Sequence, residues 1–273
     1  MFINLFIKNK AFIFLINLSL FINLYTIYTG QIVFNNHFQK NSLSDIFNDG
    51  IKVLAFNIWK DNPDQTKIVT LIYDLDPDIV WLQEIKINYY HQIYGDLAKK
   101  YPFSYPEKNK VSIQGNIFLS KFPFEVKKID PSFKSSLLHT KITIGKQKLH
   151  FFGVHLVSPR NQHRLETRRN QFAYVADYIQ KQTHLSESII VAGDMNTVYW
   201  NPVLKNFREK TRLNHYRKIS DIMPTWPSYL PELFQIPLDY IMTSPDICLD
   251  NQIKADMTGS DHYPLFYNLY FCC

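Results

Sequence analysis

Several polar residues stand where apolar, strand-like runs end. Asn57 closes VLAFN, Glu84 closes IVWLQE, His155 closes FFGVH, and Asp194 and Asn196 close IIVAGDMN. Asp239 sits inside PLDYIM, and Asp261 and His262 stand at GSDHYP just before the last apolar run. A buried strand that ends in such a residue delivers a side chain to one edge of a sheet. Taken singly, each is an ordinary strand-end cap or turn former. Taken together, all are of types that bind hard cations or move protons. Glu84, Asn57, Asp194 and Asp261 offer oxygen ligands, and oxygen donors with few imidazoles suit Mg²⁺ or Mn²⁺ rather than Zn²⁺. No cysteine falls in any of these motifs. Mg²⁺ keeps several waters and usually meets phosphate oxygens, so a phosphate ester is the natural substrate.

The order AFNIW, LQE, GNIFLSKFPF, GVHL, GDMN, PLDYIM, SDHYP resembles the endonuclease/exonuclease/phosphatase superfamily over about residues 51 to 271. GDMN and SDH in that order, with an upstream QE, form the specific part of the match. The resemblance implies a four-layer α/β sandwich, two mixed β-sheets flanked by helices, and metal-dependent phosphoester hydrolysis. It implies Glu84 as principal metal ligand, Asn57 as a ligand or orienter beside it, and Asp261 as a second carboxylate near the metal. His262 is then the general base or the group contacting the scissile phosphate, and Asp239 holds its imidazole in one tautomer. Asp194 positions or deprotonates the attacking water, Asn196 hydrogen-bonds phosphate oxygens, and His155 donates to the phosphate as charge develops. Between Asp194 and His262 the base stays open.

HLVSPRNQHRLETRRNQF, GDMNTVYWNPVLKNF and PTWPSYLPELFQIPLDYIM are similar to the YafD/VanJ-like branch of that superfamily, which implies a polyprenyl-pyrophosphate or related lipid-linked substrate. Arg160, Arg164 and Arg168 follow His155 at steps of four, one face of a helix beginning near Pro159. Arginine forks bind phosphate bidentately, so the three form a candidate substrate clamp. The bland alternative is a solvated helix face with Glu166 as local partner. Trp226 in PTWP reads as a pocket wall or as packing beneath a proline-rich loop.

These side chains need a scaffold, and the chain is long enough for one. Its 273 residues, 46% of them hydrophobic, can bury a full core without staples. IKVLAFNIW, DPDIVWLQE, GNIFLSKFPF, KLHFFGVHLV, SIIVAGDMN, PLDYIMTS and HYPLFYNLYF read as strands. Asp64 to Leu75 and Asn161 to Gln182 have helical spacing. Strands that recur singly, in pairs and with interposed helices point to a sheet sandwich covered by helices, in one catalytic domain over residues 51–273.

Ahead of it, Ala11 to Thr29 contains 14 apolar residues in 19 and no charge, preceded by Lys8 and Lys10. As a helix that is about 28 Å, close to a bilayer core. Residues 1–30 therefore read as one N-terminal hydrophobic helix, a membrane anchor whose basic flank stays cytoplasmic and exports the rest, with a cleaved signal sequence as rival. Residues 31–50 read as a polar tether. Setting residues 1–30 aside removes two lysines and no acid, so the net charge falls from +6 to +4. That mild charge tolerates an anionic substrate without demanding nucleic acid. An exported nuclease of the same fold is the alternative function, and a non-catalytic binding module is disfavoured because every expected site residue is present. Of the three cysteines, Cys272 and Cys273 read as free thiols or an intermolecular disulfide.

Overall fold

The computed structural model describes residues 50–108, 114–127, 129, 136–183, 187–214 and 223–272. The apolar segment and most of the tether lie outside the described residues. Among the described residues, no helix is long and apolar enough to cross a membrane.

The strands are β1 (Ile51–Asn57), β2 (Ile79–Lys86), β3 (Phe103–Lys108), β4 (Gln114–Ser120), β5 (Phe124–Lys127), β6 (Ser136–Ile144), β7 (Gln147–His155), β8 (Ser188–Asp194), β9 (Asp239–Thr243), β10 (Ile247–Lys254) and β11 (Leu265–Phe271). The helices are α1 (Lys67–Leu75), α2 (Ile87–Ala98), α3 (Gln162–Gln182) and α4 (Pro202–Thr211). One mixed sheet runs β10-β11-β1-β2-β4-β3 and the other β5-β6-β7-β8-β9.

Alternation along the strands explains the layers. In β1, Val53 and Ala55 join Trp81 of β2, Phe151 of β7 and Ala192 of β8 in a core between the sheets. Leu54 and Phe56, pointing the other way, pack with Ile68 and Ile72 of α1 and Ile93 and Leu97 of α2. On the second sheet, Phe151 faces inward while Phe152 of β7 meets Tyr178 of α3. Strands buried on both faces are held by burial of roughly 25 cal/mol per Å² of apolar surface, and that is why they read as continuous apolar runs. Asn161 caps α3, its side chain accepting from Arg164 N at 2.9 Å, and Asn201 caps α4 ahead of Pro202.

Two expectations are corrected. GNIFLSKFPF is not one strand: β4 belongs to the first sheet and β5 to the second. The break falls at Lys121–Pro123, where Ser120 Oγ accepts from Phe122 N at 2.9 Å. The run is a crossing between layers: Phe118, Phe122 and Phe124 pack in the core between the sheets, while Ile117 and Leu119 join the core under the helices. Cys272 is neither free nor intermolecular, because it is bonded to Cys248 and ties the residue after β11 to β10. Cys273 lies outside the described residues. Peptide mapping without reduction should recover Cys248 joined to Cys272, and Cys272→Ser should lower stability by about 2 kcal/mol, less than a free loop of that length would lose, because the β10–β11 pairing already restrains it.

Under α3 the second sheet buries two histidines. His139 shares a hydrogen bond with His150, Nε2 to Nδ1 at 2.9 Å, and another with the Tyr178 hydroxyl at 3.2 Å. Burial holds both imidazoles neutral, with the neighbouring His150 and nearby Lys127 and Lys141 adding to the effect on His139, whose pKa falls to about 3. The folded-state value lies below the ordinary 6.5, so the unfolded chain takes up the proton first as pH falls. Their stabilisation is complete above about pH 6.5 and is lost below it, by up to about 1.4 kcal/mol per pH unit for one proton. An NMR titration should find the His139 ring neutral at pH 5, with the urea midpoint lower there than at pH 7. Protonation of His139 near pH 6.5 would contradict this.

Candidate active site

Topology brings the strand-end residues to one edge. β1 and β2 are parallel, as are β7 and β8, so Asn57, Glu84, His155 and Asp194 come from the same ends of two strand pairs. β9 runs antiparallel to β8 and pairs Asp239 with Asp194, so its first residue reaches the same edge. β11 runs antiparallel to β1, which puts the preceding Ser260–Asp261–His262 there too. Ser260 Oγ donates to Asn57 O at 2.7 Å and accepts from His262 N at 3.0 Å, fixing that loop to the end of β1.

Glu84 sits where the β2–β4 register shifts, in left-handed backbone (φ 62°) that a glutamate rarely adopts. Its carboxylate accepts from Lys60 N at 2.9 Å and from Asn57 Nδ2 at 3.1 Å, and lies 3.4 Å from His155 Nε2. Burial alone would raise its pKa, but the His155 hydrogen bond and charge, with those donors, bring it down to about 2. The same pair raises the pKa of His155 against its own burial. Glu84 is therefore an anion held in a strained, over-determined position.

Asp194 is fully enclosed. Its Oδ1 accepts from Asn196 N at 2.7 Å, and its Oδ2 accepts from Asn57 Nδ2 at 3.2 Å and Asn196 Nδ2 at 3.0 Å. Burial, then the nearby Asp239, raise its pKa to about 6. His262 Nδ1 meets Asp239 Oδ2 at 2.8 Å, leaving Nε2 4.0 Å from Asp194 Oδ2 and 3.9 Å from Asp261 Oδ1. Burial disfavours a charged ring, yet the charge of Asp239 and the two other carboxylates push it up to about 10. Asp261 accepts from Trp226 Nε1 at 3.1 Å through Oδ2, while its Oδ1 is buried without a hydrogen-bond partner. Burial raises this carboxyl, and the charge of Glu84 adds to the rise.

Of these side chains, Glu84, His155, Asp194, Asn196, Trp226, Asp261 and His262 line a cavity of about 800 Å³, and the buried Asn57 and Asp239 are bonded to Glu84 and His262. An orphaned carboxylate oxygen, an ionised glutamate and an amide oxygen around one cavity fit a hard divalent cation. Asp194, Asp239 and His262 also bring ligand atoms within 4.8 Å of one another. There, however, Asp239 and the His262 Nδ1 are engaged with each other, so Glu84 and Asp261 are the better donors, and Asn57, whose Oδ1 accepts from Trp59 N at 3.0 Å, stands beside them as a ligand or orienter.

The sequence-derived clamp is only partly assembled. Arg160, Arg164 and Arg168 all line the cavity, but α3 begins at Gln162 and Arg160 precedes it. Arg164 donates from Nε to Ser158 O at 2.7 Å. Arg168 is buried and donates from Nη1 to Asn196 O, which supports the GDMN turn, while its Nε has no hydrogen-bond partner. Asn196 (φ 50°) uses Nδ2 on Leu156 O and Asp194, clamping the carboxylate. Trp226 is a cavity wall.

Sequence reading missed Gln83. From the first sheet its amide donates to Val154 O and accepts from Asp194 N at 3.2 Å, both in the second sheet. It also missed Thr225, whose hydroxyl accepts from Leu238 N and Asp239 N. Gln83 adjoins Glu84 in the same strand-end run, the one available signal.

A sequence model described as the Endonuclease/Exonuclease/phosphatase family matches residues 54–262. No curated protein sequence matches the chain. Among solved structures, a variant of Staphylococcus aureus beta toxin with bound magnesium ions is similar at TM-score 0.60 and 20% identity, over 80% of this chain and 99% of that one. TDP2 from D. rerio, complexed with a single-strand DNA product, is similar at TM-score 0.62 and 20% identity, over 81% and 98%. An endonuclease/exonuclease/phosphatase from Beutenbergia cavernae DSM 12333 gives TM-score 0.63 and 16% identity, over 82% and 72%. At these identities the structures share the fold.

The bonds of Gln83 generate a test. Gln83→Leu keeps the shape but strands two buried backbone groups, so urea denaturation should show a loss of about 2–5 kcal/mol. Turnover should fall with it, because Asp194 loses its anchor.

Proposed function

The chain belongs to the endonuclease/exonuclease/phosphatase family and is a metal-dependent phosphoester hydrolase, and on that premise we propose that it cleaves a lipid-linked or small phosphorylated molecule at the outer side of a membrane. The observation that carries the chemistry is the convergence of Glu84, Asp194, Asp261 and His262 on one cavity, with Asn57 bonded to Glu84 and Asp194 and Asp261 Oδ1 left for a ligand.

Glu84, Asn57 and Asp261 would hold Mg²⁺ or Mn²⁺. When bound, the ion polarises a phosphoryl oxygen and offsets developing charge. Asp194 Oδ2, oriented by Asn57 and Asn196, takes the proton of the attacking water. His262, oriented by Asp239 and flanked by Asp194 and Asp261, acts as a cation toward the phosphoryl oxygens. His155 stands beside Glu84 and donates to the same group. Arg160 and Arg164 take the more distant phosphate oxygens.

Three features support the membrane-side reading: the charge-free apolar stretch Ala11 to Thr29, the Cys248–Cys272 disulfide, which favours an oxidising compartment, and the motifs shared with the YafD/VanJ-like branch. The magnesium of the beta toxin structure supports Mg²⁺ as the ion. The DNA product bound to TDP2 keeps a nuclease as the second reading. The purified chain, assayed with Mg²⁺ and with EDTA, should hydrolyse polyprenyl pyrophosphate or a simple phosphodiester only with metal. Glu84→Ala should reduce turnover roughly a thousandfold without unfolding the protein. DNA cleavage with no phosphatase or phosphodiesterase activity would overturn the substrate assignment, and full activity in Glu84→Ala would overturn the site.

A further inference from the structure

Large apolar side chains are exposed in two loops that flank the cavity. Leu233 is 88% exposed, Tyr229 70%, Phe234 63% and, in the loop after β8, Trp200 61%. Both loops are rooted in the cavity wall, through Val198 and Asn201 on one side and Trp226 and Ile236 on the other. Single exposed hydrophobics need no explanation, but a cluster at the rim of a site marks an interaction surface.

The exposure is built rather than a consequence of looseness. Trp226 and Ile236 close the base of the second loop with reciprocal backbone bonds of 2.6 and 3.0 Å. Inside it, Gln235 Nε2 donates to Leu230 O at 2.6 Å, and Phe234 N to Pro231 O at 2.8 Å within a short 3₁₀ turn. Ser228 ties it to the site loop, its N donating to Asp261 O at 2.8 Å and its Oγ to Ser260 O at 2.6 Å. A backbone bonded at its base and at its 3₁₀ turn therefore presents Tyr229, Leu233 and Phe234 to solvent and is tied to Asp261 through Ser228.

We propose that Tyr229–Phe234 and Trp200 form a bilayer-docking surface that seats the mouth of the cavity at the lipid–water interface, so that the substrate is a phosphoester carried by a membrane lipid. This rests on the hydrolase reading of the adjoining cavity. The side-chain types choose the partner. Tyrosine and tryptophan suit the headgroup level, and leucine and phenylalanine the acyl region below it. Leucine has no ring face to stack on a base, so single-stranded nucleic acid fits less well. Lys60, Arg160 and Arg164 line the cavity behind the rim, where lipid phosphates would enter. The charge-free apolar stretch Ala11 to Thr29 is a second membrane-directed feature of the sequence.

The test uses the full chain with vesicles of phosphatidylcholine and phosphatidylglycerol, the former brominated to quench nearby tryptophan. Bromolipid should quench emission, and Trp200→Phe should remove most of that quenching. The double variant Leu233→Asp/Phe234→Asp should hydrolyse soluble bis(p-nitrophenyl) phosphate within twofold of the unmodified protein, but vesicle-borne p-nitrophenyl hexadecyl phosphate at least tenfold more slowly. Quenching that is absent, or unchanged in the double variant, would overturn the docking surface. Loss of affinity for a single-stranded oligonucleotide in place of vesicle contact would reassign it to nucleic acid. If the unmodified protein hydrolyses neither phosphodiester while quenching behaves as expected, the hydrolase reading fails and the docking surface stands.

Discussion

The site depends on how closely the two sheets approach at one edge. Gly193 has φ +133°, and a Cβ there would lie 2.0 Å from Val154 O and 2.8 Å from Gln83 Nε2. No side chain fits, and the space so saved lets Gln83 cross from the first sheet to bond Val154 and Asp194 in the second. Gly153, whose Cβ would meet the Trp81 ring at 2.7 Å, makes room for the indole in the same layer. Without this contact the ends of β1 and β2 could not share a cavity with those of β7 and β8. The polar latch is buried, so an unmade bond would be costly, and that cost fixes the spacing of the sheets.

What the latch brings together would be unfavourable alone. Glu84, Asp194 and Asp261 line one cavity, with Asp239 bonded to His262 at its edge and with His155, His262 and the buried Arg168 as compensating groups. Even with both imidazoles charged, the carboxylates are in excess. Isolated buried charges are expensive, and most groups here have a charged partner or backbone donors, whereas Asp261 Oδ1 and Arg168 Nε have no hydrogen-bond partner. Excess negative charge, a rigid frame and one unsatisfied acceptor are the conditions under which a divalent cation adds most. The pairing of Asp239 with His262 serves the opposite purpose, keeping a positive group where phosphoryl oxygens would gather charge.

The sequence was most informative where one physical rule acted alone. Strand ends were legible because an apolar run closing in Asn, Glu, His or Asp delivers that side chain to an edge, and all eight such residues reach the same one. Helix α3 was legible from its stripe, and its range matches the expected Asn161 to Gln182, with Asn161 as its cap. Reading failed where tertiary context decided. In GNIFLSKFPF, Phe118 of β4 and Phe122 and Phe124 around the start of β5 all pack against the core between the sheets, so the apolar pattern does not mark the change of sheet. Helix α2 begins without a side-chain cap and is rich in aromatics, so its local signals are weak. Arg168 has the spacing of a clamp, but its place behind Asn196 gives it another partner. Cys248 and Cys272 are far apart in sequence and meet only because β10 and β11 pair. Gln83 is one residue from Glu84 and faces the opposite way, into the gap between the sheets, which only the second sheet reveals.

The strained positions follow from the same geometry. Glu84 and Asn196 both occupy left-handed backbone at the ends of strands, one in each sheet. Such conformations cost about 1–3 kcal/mol each and persist only where surrounding bonds over-determine them. Lys60 N and Asn57 do so for Glu84, and Leu156 O and Arg168 for Asn196. In a regular strand Glu84 would alternate with Gln83 and turn toward α1 and α2. The shift of register between Leu82 and Ile85 instead turns it toward the cavity while Gln83 keeps the latch. One irregularity in β2 thus lets adjacent residues perform two tasks, one joining the sheets and the other furnishing the anion that the joined sheets enclose.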